Sequence, residues 1–185
     1  MGRLGILKNM LKRWWLSPVD YARSIGVKVG SGCQLISVTW SSEPYLITIG
    51  NNCQITNGVK IFTHGGAFMF RREIPDFDCF GKVVIGDGVY VGNNSLILPG
   101  VTIGNNVLVA AGSVVTKSVP DNVCIGGNPA KIICSVEEYK KNNLQYNVHS
   151  KGMSREEKKA LLLSLPPDRL IQKGYLKYNE RISNL

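Results

Sequence analysis

From Val83 to Thr116 an aliphatic residue recurs every six positions, at Ile85, Val91, Ile97, Ile103, Val109 and Val115. Four places after each stands a small residue or valine: Val89, Ser95, Val101, Val107, Ser113 and Val119. Neither a helical period near 3.6 nor a strand period of 2 accommodates a register of six. A hexapeptide repeat does, and it is the signature of a parallel β-helix. Each hexad supplies one short strand and one turn. The aliphatic points inward and stacks on its equivalents in the coils above and below. The later position is small because it sits near a narrow corner. Gly and Asn supply the turns, since both tolerate positive φ. Three hexads, about eighteen residues, close one triangular coil, and coils must stack to bury an apolar face.

The pattern begins at Val29 and Leu35, breaks at 41–44 in what reads as a small outward loop, and resumes at Ile49, Ile55 and Ile61. It vanishes over 67–82 and returns at Ile85, which predicts roughly five coils in all. Residues 1–24 read as an N-terminal helical segment, 25–134 as the β-helix with its loop 67–82, and 135–185 as a helical tail. Within the first segment, residues 4–16 place Leu4, Leu7 and Leu11 on one face and Lys8, Lys12 and Arg13 elsewhere, a short basic amphipathic helix ended by Ser17-Pro18. Packing on the β-helix is its expected role; lying on a membrane surface is the alternative, making peripheral membrane association through 4–16 a second expectation. In the tail, Ser154-Arg155-Glu156-Glu157 is a capping box that opens a helix ended before Pro166-Pro167, expected to cap the open end of the coil.

The formal charge of +9 lies in the two ends: residues 29–130 carry five basic and six acidic side chains, 131–185 eleven and six. Solvated helices are the plainer reading, attraction to an anionic surface or to ligand phosphates the sharper one. There is no nucleic-acid motif, no run of eighteen apolar residues, no secretory pattern and no myristoylation motif. The five cysteines form no CxxC pair, and Cys33 and Cys53 fall on the small-residue position, where they read as small core hydrophobes of a reducing compartment.

A hexapeptide coil is scaffold, so chemistry must come from what interrupts it. The interruption at 67–82 directly follows Thr63-His64-Gly65-Gly66, and His64 is one of two histidines in the chain. At the base of such a loop a histidine can take a proton from a hydroxyl and return it to a leaving group. Glu73, Asp76, Asp78 or a backbone carbonyl could orient its ring. Arg71 and Arg72 are candidates for an anionic acceptor, with a solvated loop the alternative.

The run IGDGVYVGNNSLILPGVTIGNNVLVAAGSVVTKSVPDNVCIGGNPAKII resembles the hexapeptide-repeat acyltransferases of the galactoside and maltose acetyltransferase branch. The opening WLSPVDYARSIGVKVGSG resembles members that O-acetylate surface polysaccharides. The resemblance implies an all-β solenoid, a left-handed parallel β-helix, assembled as a homotrimer with acetyl-CoA in the groove between neighbours. His64 matches the catalytic histidine. Asn93 matches the oxyanion position, Tyr90 a wall of the acetyl site, Ala111 a contact to the pantetheine arm, Thr116 and Lys117 the adenine end, and Lys131 a basic residue near the nucleotide phosphates. Cys134 stands where some relatives carry a second Arg. No metal is implied: zinc chemistry wants three histidine ligands, and this coil holds only His64. The expected activity is acetyl-CoA-dependent O-acetylation of a sugar hydroxyl in a surface-polysaccharide or glycan precursor, at the cytoplasmic face of a membrane. Trp40, the loop and the N-terminal segment are expected to shape the acceptor site. N-acetylation of an amino sugar nucleotide and a non-catalytic scaffold remain the alternatives.

Overall fold

The computed structural model describes residues 15–175. The hexads fold into short parallel strands that wind through three sheets in turn: β1 (Lys28–Val29), β2 (Gln34–Leu35) and β3 (Thr39–Trp40), then β4 (Ile47–Ile49), β5 (Gln54–Ile55) and β6 (Lys60–Ile61). Next come β7 (Val83–Ile85), β8 (Tyr90–Val91), β9 (Leu96–Ile97), β10 (Thr102–Ile103), β11 (Leu108–Val109) and β12 (Val114–Val115). The first sheet has the order β1-β4-β7-β10 and the third β12-β9-β6-β3. The second runs β14-β13-β11-β8-β5-β2, with β13 (Val123–Gly127) and β14 (Ala130–Ser135) added at its end.

Register explains why the period of six is legible. Ile49 pairs with Ile85, Ile55 with Val91, and Ile61 with Ile97. One coil higher, Ile85 pairs with Ile103, Val91 with Val109 and Ile97 with Val115. These side chains all point inward and are no more than 2% exposed. Burying one such aliphatic is worth about 1.5–3 kcal/mol. The small position behaves as expected: Ser95 and Ser113 are fully buried, and their hydroxyls donate to the carbonyls of Gly92 (2.8 Å) and Ala110 (2.5 Å). Cys53 is buried and Cys33 half-buried, each thiol donating to a backbone carbonyl of the next coil, Gly86 and Gly50.

The turns need left-handed backbone at one residue, and asparagine supplies much of it: Asn52, Asn94, Asn106 and Asn122 have φ of 54°, 59°, 53° and 61°. Gly92 answers a different need. A Cβ there would lie 2.5 Å from the Ala111 nitrogen, so only glycine lets the two coils approach.

Two features go beyond the sequence reading. Ser17-Pro18 opens a helix, α1 (Pro18–Ser24), with the Ser17 hydroxyl accepting from the Asp20 N–H at 3.1 Å and Pro18 in the first turn. The amphipathic helix expected over 4–16 lies, apart from Trp15 and Leu16, outside the described residues. Second, the stretch after Pro120 does not simply leave the coil: β13 still pairs in parallel with β11, and only then does the chain fold back as antiparallel β14. Hexad counting misses this return because an antiparallel strand has no period of six.

Beyond β14, α2 (Val136–Asn143) leads out of the first compact unit, which ends at Tyr139. The second unit, from Lys140, contains α3 (Arg155–Ser164) with the expected capping box: the Glu157 N–H donates to the Ser154 hydroxyl (3.2 Å) and the Ser154 N–H to the Glu157 carboxylate (2.8 Å). Among the described residues no helix is long and apolar enough to cross a membrane.

Candidate active site

The third sheet delivers His64. After β6 the chain turns at buried Thr63, and the next residues pair antiparallel with the far end of the loop. The Gly65 N–H donates to the Cys79 carbonyl (3.0 Å) and the Gly81 N–H to the Thr63 carbonyl (2.8 Å), with His64 and Phe80 as bridge partners between them. The loop is thus pinched shut at its neck, and His64 sits in that neck. Its ring meets the Phe80 ring edge-on, 6.5 Å between centroids.

The group that holds the imidazole is Glu43, none of the loop acids. Its Oε2 lies 2.9 Å from His64 Nδ1. Asp78 is engaged elsewhere, by Arg71 at 2.6 Å, while Glu73 and Asp76 are exposed on the loop. Glu43 comes from the small break at 41–44. Because Thr39 pairs with Lys60 and Trp40 with Ile61, the same register carries Glu43 alongside His64 one coil on. The Thr63 hydroxyl donates to the same carboxylate oxygen at 2.8 Å, and the Ser41 hydroxyl stands 3.2 Å from His64 Nδ1. The imidazole hydrogen bond is the main reason the Glu43 carboxyl is held down to about 2; the Thr63 and Ser42 hydroxyls add to it, and burial opposes it. A carboxylate fixed in its ionised form accepts from Nδ1–H. The unprotonated Nε2 is then the basic atom of a half-exposed ring.

The remaining candidates fall into two groups. Thr116 and Lys117 follow β12, on the corner of the coil that His64 occupies after β6. Lys117 lines a cavity with Lys131 of β14, over an apolar floor of Val115, Val119, Pro120 and Ile125. Two ammonium groups in one cavity suit an anionic ligand with an apolar face. Tyr90 lies instead on the outer face of the second sheet, between Gln54 and Leu108, and Asn93 and Ala111 lie on the corner that follows this sheet. There the Asn93 carbonyl accepts from the Gly112 N–H at 2.8 Å. The candidate residues therefore lie on two different corners of one chain. Trp40 belongs to neither: it lines a separate cavity with Leu16, Pro18, Tyr21, Leu35 and Val38 at the first coil.

Known proteins agree with this architecture. Residues 82–117 match the model described as bacterial transferase hexapeptide (six repeats). Protein CapG of Staphylococcus aureus is 54% identical over 149 residues, covering 78% of this chain and 87% of that protein. The chain spans about half the length of other curated relatives, such as the proteins named putative acetyltransferase YJL218W of Saccharomyces cerevisiae (38% identical) and putative acetyltransferase YvoF of Bacillus subtilis (41% identical). A maltose O-acetyltransferase from Clostridium difficile 630 superposes with a TM-score of 0.50 at 28% identity, over 63% of this chain and 73% of that one. A galactoside acetyltransferase in complex with coenzyme A shares the fold, with a TM-score of 0.56 at 23% identity over 75% of this chain and 82% of that one. With its hexads wound into the left-handed parallel β-helix of these structures, the chain belongs to the hexapeptide-repeat transferases, and its relatives in that family include acetyltransferases.

Proposed function

We propose that this acetyltransferase moves the acetyl group of acetyl-CoA to a hydroxyl of a sugar, in a surface-polysaccharide or other glycan precursor, with His64 as general base. The observation that carries the reading is the Glu43–His64 pair, with Nδ1 on the carboxylate at 2.9 Å, set in the neck of the loop that interrupts the coil.

In this mechanism Glu43 holds the tautomer in which Nε2 has the lone pair. Nε2 takes the proton of the acceptor hydroxyl as its oxygen attacks the thioester carbonyl. The carbonyl oxygen becomes an oxyanion, and Asn93 supplies a donor for it, through its side chain or its N–H. Collapse breaks the carbon–sulfur bond, and the proton held on His64 goes to the departing thiolate of CoA. Glu43 stabilises the imidazolium formed in between. Lys117 and Lys131 take the phosphates at the nucleotide end, Ala111 and Thr116 line the path of the cofactor, and Tyr90 walls the acetyl end.

Since His64 and Asn93 sit on different corners of one chain, the reading requires a second copy that brings its Tyr90–Asn93–Ala111 corner to this His64. A homotrimer with a groove between neighbours meets that requirement by symmetry.

The test is release of CoA thiol from acetyl-CoA, assayed against a panel of sugars, amino sugars and their nucleotide-linked forms. Hydroxyl acceptors are expected to support turnover. Turnover with amino acceptors alone would replace O-transfer by N-transfer. Failure of acetyl-CoA to bind in calorimetry would remove the enzymatic reading altogether.

A further inference from the structure

The hairpin that closes the second sheet holds a feature that acyl transfer does not use. Cys124 of β13 and Cys134 of β14 are register partners across the antiparallel pair. Residues directly opposite in such a pair point to the same face, with Cα atoms about 4.5–5.5 Å apart. A disulfide needs about 4.4–6.8 Å, so this backbone already has the spacing. Both cysteines are free thiols in the structure. Burial, and then the neighbouring Cys134 thiol, push the Cys124 thiol up to about 11. The register shifts directly after this pair, between Cys124 and Ile125.

Of the other cysteines, Cys33 and Cys53 also neighbour each other, directly before the register partners Gln34 and Gln54, but across a parallel pair inside the coil. Cys33 and Cys53 stack in the parallel column, each thiol tied to a backbone carbonyl of the next coil at 3.1 and 3.0 Å. Cys79 is exposed at the loop neck, on a different corner from the hairpin.

We propose that Cys124 and Cys134 are a modification site: a cross-strand dithiol that closes reversibly to a disulfide on reaction with a low-molecular-weight disulfide. Half-buried Cys134 is the accessible partner and Cys124, 2% exposed, the resolving one. The Cys134 thiolate attacks one sulfur of the oxidant, forms a mixed disulfide and expels one small thiol. Cys124 loses its proton to water, its thiolate attacks the Cys134 sulfur, and the second small thiol leaves. The protein loses two electrons and two protons; the oxidant gains both and becomes two thiols. The high position of the Cys124 thiol makes the second step faster as pH rises. Closure pins the hairpin that carries Lys131 opposite Gly126.

The full-length protein is incubated with glutathione disulfide, alkylated, and digested with trypsin without reduction. Cleavage after Lys117, Lys131 and Lys140 puts the two cysteines in separate peptides, 118–131 and 132–140. The expected result is an intact mass lower by about 2 Da before alkylation, a linked 118–131/132–140 pair after digestion, and loss of both under dithiothreitol. Cys134→Ser should give no linked pair, and Cys124→Ser should stop at a glutathione adduct on Cys134. Circular dichroism of the oxidised wild type keeps the readout to folded protein. Separate alkylated peptides from folded wild type, a glutathione adduct that never resolves, or a link from either cysteine to Cys33, Cys53 or Cys79 would each overturn the proposal.

Discussion

Two corners of the same coil show opposite uses of the hexad. On the corner after the first sheet, a ladder of side chains climbs without a break: Asn51 N–H to Asp87 (2.6 Å), Asp87 N–H to Asn105 (2.8 Å), Asn105 N–H to Asp121 (2.8 Å). Each turn's backbone donor is met by the side chain one coil above, so the corner is self-satisfied and offers nothing to a ligand. On the corner after the third sheet the ladder is replaced by two interruptions in consecutive coils, at 41–44 and 67–82. There a carboxylate, an imidazole and three hydroxyls satisfy one another around Nδ1 of a half-exposed ring. The regular corner supplies stability; the interrupted corner gives up regularity for titratable groups.

The sharpest way to break this contrast is to change His64. His64→Ala should lower kcat with the acceptor by about 100-fold or more in protein whose circular dichroism shows the fold retained, as loss of a general base demands. Unchanged turnover would strip the interrupted corner of its chemical role. Next, Glu43→Gln keeps the shape but loses the carboxylate. Turnover should fall by about 10-fold or more, mostly in kcat, with the pH–rate profile displaced, because the substituted amide can present its N–H to Nδ1 and favour the other tautomer. Lys117→Ala and Lys131→Ala should each raise KM for acetyl-CoA by about 5- to 10-fold, less so at high salt, while kcat stays close to wild type. On the regular corner, Asp87→Ala removes two exposed hydrogen bonds from Asn51 and should cost about 1 kcal/mol of stability in urea melts, with kcat untouched.

The smallest effect sharpens the comparison by pH. Glu43 is held down to about 2 from an ordinary 4.5, so its ionisation stabilises the fold fully above pH 4.5, and that contribution is lost as pH falls through 2. The melting difference between wild type and Glu43→Gln should therefore narrow over that window. A difference that stays constant down to pH 2 would mean that the negative charge is not what the amide variant lacks.

The coil is readable because its determinants are local. Each inward aliphatic and each small corner residue follows from the hexad that contains it, and the register pairs like with like. His64 is readable for a related reason: it is the histidine that stands where the period stops. Glu43 is not, because it meets His64 across a separation of 21 residues and belongs to what reads as an incidental loop. A signal exists nonetheless: the break at 41–44 falls on the same corner as His64, one coil earlier, so anything projecting from it faces the imidazole. The loop acids are nearer in sequence and carry no register argument. The family resemblance implies one groove, whereas a single chain displays the candidate residues on two corners. The β14 return and its cysteine pairing follow from an antiparallel hairpin that hexad spacing does not encode.

The neck of the 67–82 loop has a consequence for how the protein changes over generations. Its two ends are hydrogen-bonded to each other at Thr63 and Gly81, and the pairing of Ile61 with Ile97 continues as if the loop were absent. Lengthening or replacing what lies between would therefore leave the stacking untouched. Doubling a closed loop costs only about 0.6 kcal/mol of chain entropy. With the loop shaping the acceptor site, as the proposed function has it, acceptor preference can drift by exchanging one segment, at little risk to folding, while His64 and Glu43 stay anchored in the coils beneath it.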